Sequence, residues 1–207
     1  MRLVLNIMLL LLAALAWPAP APGAGSQVIA KVRADLDGDG AAETLEVVML
    51  SGRRELDAEP WCGAGDMWRG RFELRVRRGG RVLDRRAFGP LFWPPDGQGE
   101  EITFWAPLRI VLADYNGDGR PDFNLGQYGS CNGNLYRLYT LGPAGRLAEL
   151  PLAGGGAVLV SGAGRSNSTR AIAARGGVIS ASHYDNLLGR VVTRRWRWDG
   201  KRFQPLE

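Results

Sequence analysis

The chain has 207 residues, a formal net charge of +5 and a single histidine. Its arginines are dispersed among β-like segments and form no compact basic run, which argues against nucleic-acid binding. One histidine, and two cysteines without a CxxC spacing, exclude the usual zinc sites.

Residues 1–24 have the plan of a secretory signal peptide. Arg2 supplies a positive start, residues 3–17 are apolar, and small residues and prolines follow. The apolar run is shorter than the roughly 20 residues of a membrane-spanning helix. We therefore expect export to the periplasm or the extracellular space, with no stable membrane insertion after cleavage behind Ala16, Ala21 or Ala24. An uncleaved anchor is the alternative.

Residues 25–207 are predicted to form one all-β domain, because polar and apolar residues alternate and no helical periodicity is sustained. The fold expected is an antiparallel sheet or sandwich, or a partial propeller-like β-domain. Residues 53–69 and 88–100 are predicted as longer loops, and Asp199-Gly200 as the turn of a closing hairpin. The predicted strands are residues 28–32, 45–50, 72–77, 109–113, 135–141, 157–161 and 191–198.

Two acidic segments share one spacing: DLDGDGAAE (residues 35–43, loop 1) and DYNGDGRPD (residues 114–122, loop 2). Oxygen-bearing side chains at alternate positions of a tight turn suit a hard divalent cation, with glycine at position 6 and a backbone carbonyl at position 7. The irregular geometry favours Ca²⁺ over Mg²⁺. The predicted ligands are Asp35, Asp37, Asp39, Ala41 and Glu43 in loop 1, and Asp114, Asn116, Asp118, Arg120 and Asp122 in loop 2.

Both loops are predicted to connect strands, not helices. Glu46 at position 12 would also satisfy an EF-hand in loop 1, but loop 2 has Leu125 there and Pro121 at position 8. A β-loop-β site that ends at position 9 accounts for both copies. An exported chain with one pair of cysteines also predicts a disulfide, here between Cys62 and Cys131.

The two loops resemble the calcium loops of FG-GAP/VCBS-type repeats, which occur in integrin α-subunit propellers and in many exported bacterial proteins. Residues 114–140, together with HYDNLLGR and WRWDGKRF, also resemble a group of exported bacterial proteins of about this size. The resemblance implies calcium at the ligand positions named above. Glu43 departs from the usual aspartate at position 9, and two loops are too few for a complete propeller.

The leading hypothesis is an exported calcium-binding module without catalytic activity, in which calcium is structural and the partner is a protein or envelope component. Residues 126–134 are a candidate exposed surface or a plain turn. One alternative is a periplasmic immunity protein similar to lysozyme inhibitors, whose cleft-plugging Ser-Gly and tyrosine would correspond to Ser161-Gly162 and Tyr184. A second is a cell-wall hydrolase, but the neighbours Ser182, His183 and Asp185 cannot align as a triad.

Overall fold

The computed structural model describes residues 26–58, 65–88, 101–130, 133–161 and 172–207. The predicted signal peptide lies outside these ranges, and so do both cysteines of the predicted disulfide. No disulfide occurs within the described part of the chain, and the Cys62–Cys131 pairing stays a prediction.

The first sheet is built from strands that follow one another along the chain. Neighbouring strands pair antiparallel in the order β1-β2-β3-β4, and loop 1 connects β1 to β2. The short β5 pairs with the first half of β3 on the edge that β4 occupies in the second half. Its strands are β1 (Gln27–Ala34), β2 (Glu43–Asp57), β3 (Gly65–Arg78), β4 (Arg81–Ala87) and β5 (Ile102–Trp105).

The second sheet has the same arrangement as the first. Loop 2 connects β6 to β7, β7 pairs with β8, and β9 and β10 share the far edge of β8. The position-9 residue begins the strand after the loop in both sheets, Glu43 in β2 and Asp122 in β7. The strands are β6 (Leu112–Ala113), β7 (Asp122–Ser130), β8 (Gly133–Gly142), β9 (Arg146–Glu149) and β10 (Val158–Val160).

The third sheet is a four-stranded meander at the C-terminal end. Its strands are β11 (Ala173–Arg175), β12 (Val178–Asp185), β13 (Arg190–Trp198) and β14 (Phe203–Leu206). Gly176-Gly177 turns β11 into β12, and the Asp199-Gly200 turn closes the hairpin of β13 and β14 as predicted. Trp198 packs on Phe203 in this hairpin, with ring centroids 5.1 Å apart.

The second sheet lies between the other two and is buried on both faces. In β8, Tyr139 and Leu141 face a core shared with the first sheet, whereas Tyr136 and Leu138 face a core shared with the third. Side chains of a strand alternate between faces, so one strand contributes to both cores. Burial of this apolar surface is the main stabilising term of the fold.

The prediction of an all-β fold from antiparallel strands is confirmed. Among the described residues no helix has the length and hydrophobicity needed to span a bilayer. Of the predicted strand at residues 109–113, only Leu112–Ala113 is strand. Strands β4, β5, β7, β9, β11 and β12 lie outside the predicted strand ranges, and β14 is the second strand of the predicted closing hairpin.

The prediction of a long loop at residues 53–69 is wrong for the residues of this segment that the structure describes, 53–58 and 65–69. Residues 53–57 continue β2, and residues 65–69 begin β3 and pair with them. The many charges that resembled a loop are matched across the two strands: Arg54 Nε donates to Asp66 Oδ1 at 2.9 Å, and Arg69 Nε lies 3.0 Å from Glu55 Oε1. Both pairs are diagonal neighbours in the register of β2 and β3, within reach of long side chains, and opposite charges at such positions stabilise an antiparallel pair.

Candidate metal centre

The two acidic loops are held by the same hydrogen bonds from position 1. In loop 1, Asp35 accepts the backbone N–H of Gly38 on Oδ1 and that of Gly40 on Oδ2, both at 2.9 Å. In loop 2, Asp114 accepts the N–H of Gly117 on Oδ1 at 2.7 Å and that of Gly119 on Oδ2 at 3.0 Å. Position 1 therefore organises the turn in each loop.

Positions 5 and 9 are also matched between the loops. The position-7 N–H donates to the position-5 carboxylate at 2.9 Å, Ala41 to Asp39 Oδ1 and Arg120 to Asp118 Oδ1. The position-9 carboxylate accepts the N–H of position 2 at 2.9 Å, through Glu43 Oε2 from Leu36 and Asp122 Oδ2 from Tyr115. Glu43 and Asp122 are both fully buried.

The residues at position 2 anchor the loops in the cores. Leu36 is buried in the core between the first and second sheets, and Tyr115 in the core between the second and third. Burial raises the pKa of Tyr115 to about 12, and its hydroxyl accepts a hydrogen bond from Asn124. Each loop therefore sits at the end of its own interface between sheets.

The position-4 glycines bring neighbouring structure close to each loop. Gly38 has a φ of +75° and faces the Arg120 side chain of loop 2. Gly117 has a φ of +78°, and a Cβ built there would lie 2.7 Å from the backbone nitrogen of Gly177 in the third sheet. Loop 1, loop 2 and the Gly176-Gly177 turn thus follow one another at one end of the molecule.

Arg78, the last residue of β3, places its guanidinium among the carboxylates of loop 1. Its Nε donates to Glu43 Oε1 at 2.6 Å. Its Nη1 donates to Asp39 Oδ2 at 2.6 Å, and its Nη2 to Asp37 Oδ1 at 3.0 Å. One side chain therefore binds the loop residues at positions 3, 5 and 9.

The electrostatics of loop 1 reflect this arrangement. Hydrogen bonds from the N–H of Ala41 and from Arg78 lower the pKa of Asp39. The hydrogen bonds to Asp39 and Glu43 raise the pKa of Arg78 above its ordinary value. Side-chain oxygens of Asp35, Asp37 and Asp39 lie within 4.8 Å of one another, the one such group of three or more acidic, histidine or cysteine residues in the described ranges.

Loop 2 has a different set of charge partners, because the arginine that binds its carboxylates in the described part of the chain, Arg120, belongs to the loop itself. Arg120 Nη2 donates to Asp118 Oδ2 at 2.6 Å, and Asn116 Nδ2 donates to the same oxygen at 3.0 Å. Although burial opposes it, these bonds lower the pKa of Asp118. Arg120 Nη1 also donates to the carbonyl of Leu141 at 3.3 Å, which directs this side chain across the sheet.

Asp122 carries the one oxygen of loop 2 that is buried without a partner. Its Oδ2 accepts the N–H groups of Tyr115 and Asn116, whereas Oδ1 has no hydrogen-bond partner among the described residues. Burial raises the pKa of Asp122, and the nearby hydroxyl of Thr140 offsets part of this increase. The contact between this hydroxyl and the carboxylate does not have the geometry of an ordinary hydrogen bond. Leaving such an oxygen unpaired costs about 1–3 kcal/mol or more for a charged group.

Several other predicted residues lie away from the two loops. Ser182 and His183 are neighbours in β12, so their side chains lie on opposite faces of the sheet; Ser182 Oγ bonds Thr193 Oγ1 at 2.8 Å, and His183 is buried. Asp185 caps the following turn at Leu187 and Leu188.

Two further segments give mixed outcomes. The structure brings Tyr184 and Ser161 together, since the Tyr184 N–H donates to Ser161 Oγ at 3.0 Å, but Gly162 lies outside the described residues. The candidate exposed surface at residues 126–134 is wrong for its described part. Gly126, Gln127 and Asn134 are buried in β7 and β8, which pack against the core on both faces.

Arg78 and Thr140 are the site residues that sequence reasoning missed. The Gly79-Gly80 turn directly after Arg78 indicates that this arginine ends a strand. Its position beside loop 1, however, depends on which residue of β2 lies opposite it. The local sequence does not predict this register of β2 and β3. No model of a protein family matches this chain, and a search of curated proteins finds no match either.

Proposed function

We propose that this protein is an exported, non-catalytic binding module that holds calcium in loop 2, where the ion stabilises the structure. The partner of the module is a protein or another component of the cell envelope. The signal-peptide pattern at the N-terminus supports the export, and the two loops support the calcium.

The observation that carries the proposal is the buried, unpaired Oδ1 of Asp122. In loop 1 the equivalent oxygen, Glu43 Oε1, accepts a hydrogen bond from Arg78. The same guanidinium donates to the carboxylates at positions 3 and 5. Since both loops share one hydrogen-bond framework, Asp122 Oδ1 is the oxygen of position 9 that remains to face a ligand. A divalent cation there would repay the cost of its burial.

The donor set of loop 2 fits calcium. Asp114, Asn116, Asp118 and Asp122 offer side-chain oxygens, and Arg120 offers its backbone carbonyl. All are hard oxygen ligands, and Ca²⁺ accepts six to eight of them at irregular angles, with water completing the set. No histidine or thiolate that would favour a softer metal is part of the loop.

The position of loop 2 supports a structural role for the ion. The loop begins β7 in the sheet that is buried on both faces, and its Tyr115 is anchored in one of the cores. Binding that orders this loop would therefore stabilise the native state as a whole. A ligand present at about 100 times its dissociation constant adds about 2.7 kcal/mol.

The test is thermal unfolding of the purified protein in EDTA and in millimolar CaCl₂. We expect calcium to raise Tm by roughly 5–10 °C at a concentration about 100 times Kd, and the same concentration of MgCl₂ to have a smaller effect. Asp118→Ala should remove the calcium-dependent shift. The matched control is Asp185→Ala, which removes a turn-capping aspartate at the end of β12 opposite the Gly176-Gly177 turn. The same Tm in EDTA and in calcium would overturn the proposal.

A second candidate, a lysozyme-inhibitor-like immunity protein, is favoured by one observation. Ser161 and the half-exposed Tyr184 are adjacent through the hydrogen bond between them. In this function the pair would enter the cleft of a wall-cutting hydrolase. The assay is hydrolysis of cell-wall substrate by a lysozyme-type enzyme with excess protein, with Tyr184→Ala as the comparison. An unchanged hydrolysis rate would remove this candidate.

A further inference from the structure

Arg78 has a defined position relative to loop 1 that follows from strand register. Thr44 of β2 pairs with Arg77 of β3. The preceding residue of β2, Glu43, is therefore the cross-strand neighbour of Arg78 at the end of the hairpin. From there the guanidinium reaches Asp37 and Asp39 as well, with its side chain 30% exposed.

The same register places a different residue beside loop 2. Phe123 of β7 pairs with Tyr139 of β8, so the cross-strand neighbour of Asp122 is Thr140. Thr140 is short, uncharged and buried, and its Oγ1 has no hydrogen-bond partner among the described residues. Matched positions of two sheets with the same topology thus carry a cation beside loop 1 and a hydroxyl beside loop 2.

The guanidinium of Arg78 makes the contacts that a metal ion would make in loop 1. It binds one carboxylate oxygen or more at positions 3, 5 and 9, the positions that converge on a cation in loops of this spacing. Arginine remains protonated at any ordinary pH. For calcium to enter, Arg78 would have to leave three carboxylates, two of which, Asp37 and Glu43, are almost completely buried.

We propose that Arg78 is a built-in cation that takes the place of calcium in loop 1, so that the protein binds one calcium ion per chain, in loop 2. The part of this inference that concerns loop 2 rests on the proposed function. The part that concerns Arg78 in loop 1 does not depend on it. Thr140 is, on this reading, the residue that keeps loop 2 open to a metal. The two residues decide which of two similar loops is a metal site.

A consequence of this assignment is that loop 1 is ordered without metal. Every carboxylate oxygen of Asp35, Asp37, Asp39 and Glu43 accepts a hydrogen bond, either from a loop N–H or from Arg78. Loop 1 then provides a fixed surface at Gly38 against which Arg120 of loop 2 packs. Loop 1 supports the metal site without being one.

The test is calorimetric titration of the purified, metal-free protein with CaCl₂ alone. We expect one ion per wild-type chain, abolished by Asp118→Ala and unaffected by Asp39→Ala. Arg78→Thr, which copies the residue found beside loop 2, should bind two. The control is Arg81→Thr, which removes the exposed arginine that pairs with Arg78 across the hairpin and should still bind one.

The reciprocal variant Thr140→Arg keeps the test decisive if Arg78→Thr does not fold. It should supply loop 2 with its own cation and abolish calcium binding while far-UV circular dichroism stays that of the wild type. Two ions in the wild type, or one ion in both the wild type and a folded Arg78→Thr, would overturn the inference.

The titration also separates this inference from the proposed function. No ion in the wild type but one in Arg78→Thr would overturn calcium binding by loop 2 and support the role of Arg78. No ion in either protein would overturn both. One ion in the wild type that Asp39→Ala abolishes, and Asp118→Ala does not, would also overturn both, since calcium would then occupy loop 1 despite Arg78.

Discussion

Gly38 of loop 1 lies directly against the side chain of Arg120 in loop 2. A Cβ built on Gly38 would be 3.0 Å from Arg120 Cδ and 3.2 Å from its Cγ. Arg120 is held there by Asp118 of its own loop and by the carbonyl of Leu141. The two acidic loops, 79 residues apart from Asp35 to Asp114, therefore share a contact at their fourth and seventh positions.

This contact predicts that Gly38→Ala is more destabilising than Gly40→Ala. Both glycines have a positive φ, +75° and +89°, so both substitutions introduce backbone strain of about 1 kcal/mol or more. Only Gly38 has neighbours within 4 Å of the added Cβ, so it also has to displace Arg120. Urea unfolding in EDTA measures the difference, and equal losses would show that the Arg120 contact contributes nothing to stability.

The second prediction concerns Asp122→Asn, which should have opposite effects with and without calcium. In EDTA we expect the variant to be as stable as the wild type or more stable, because a neutral amide avoids the cost of a buried charge. The hydroxyl of Thr140, which lies near the Asp122 carboxylate, can also accept a hydrogen bond from the new amide group. In saturating calcium the variant should be less stable, because it has lost a charged ligand.

Thermal unfolding of both proteins in EDTA and in CaCl₂ measures this reversal. The comparison is Glu43→Gln at position 9 of loop 1, where the charge is matched by Arg78. That variant should be less stable than the wild type in both buffers. A loss of stability in EDTA for Asp122→Asn would contradict the assignment of Oδ1 as the unpaired oxygen of the site.

The third prediction is the pH dependence of that difference in EDTA. Burial raises the pKa of Asp122 in the folded protein above its unfolded value, so the wild type loses stability as pH rises through the folded pKa. Below the unfolded value, about 3.9, Asp122 is protonated in both states and the loss is absent. The advantage of Asp122→Asn should therefore be present at pH 7 and disappear on acidification. An advantage that is independent of pH would rule out ionisation of Asp122 as its cause.

The fourth prediction separates the framework of the loop from its ligands. Asp114 accepts N–H groups on both carboxylate oxygens, whereas an asparagine has one carboxamide oxygen and an NH₂ group. Asp114→Asn should therefore lose about 1–2 kcal/mol in EDTA as well as in calcium, because the N–H of Gly119 is left facing a donor. Asp35→Asn, with the same bonds in loop 1, should lose a similar amount. A loss confined to calcium would mean that Asp114 acts only as a ligand.

Much of the fold follows from local patterns. The alternation in residues 72–77, the glycine pairs and the Asp199-Gly200 turn predict strands and hairpins that the structure contains. The main wrong prediction is the loop at residues 53–69, because a run of charged residues resembles a loop until its partners on the opposite strand are known. Arg54, for example, belongs to the predicted loop, whereas in the fold it is a strand residue whose half-exposed side chain pairs with Asp66.

The sequence by itself determined the composition and internal geometry of the two loops. Ligand-type residues at positions 1, 3, 5 and 9, and the glycines between them, are separated by less than ten residues, and such short-range spacing defines a turn without reference to the rest of the chain. Only the tertiary structure decided what stands beside each loop. Arg78 and Thr140 lie beside the loops because of the register of a neighbouring strand. That register is determined by the pairing of whole strands, which depends on burial on both faces of the sheet.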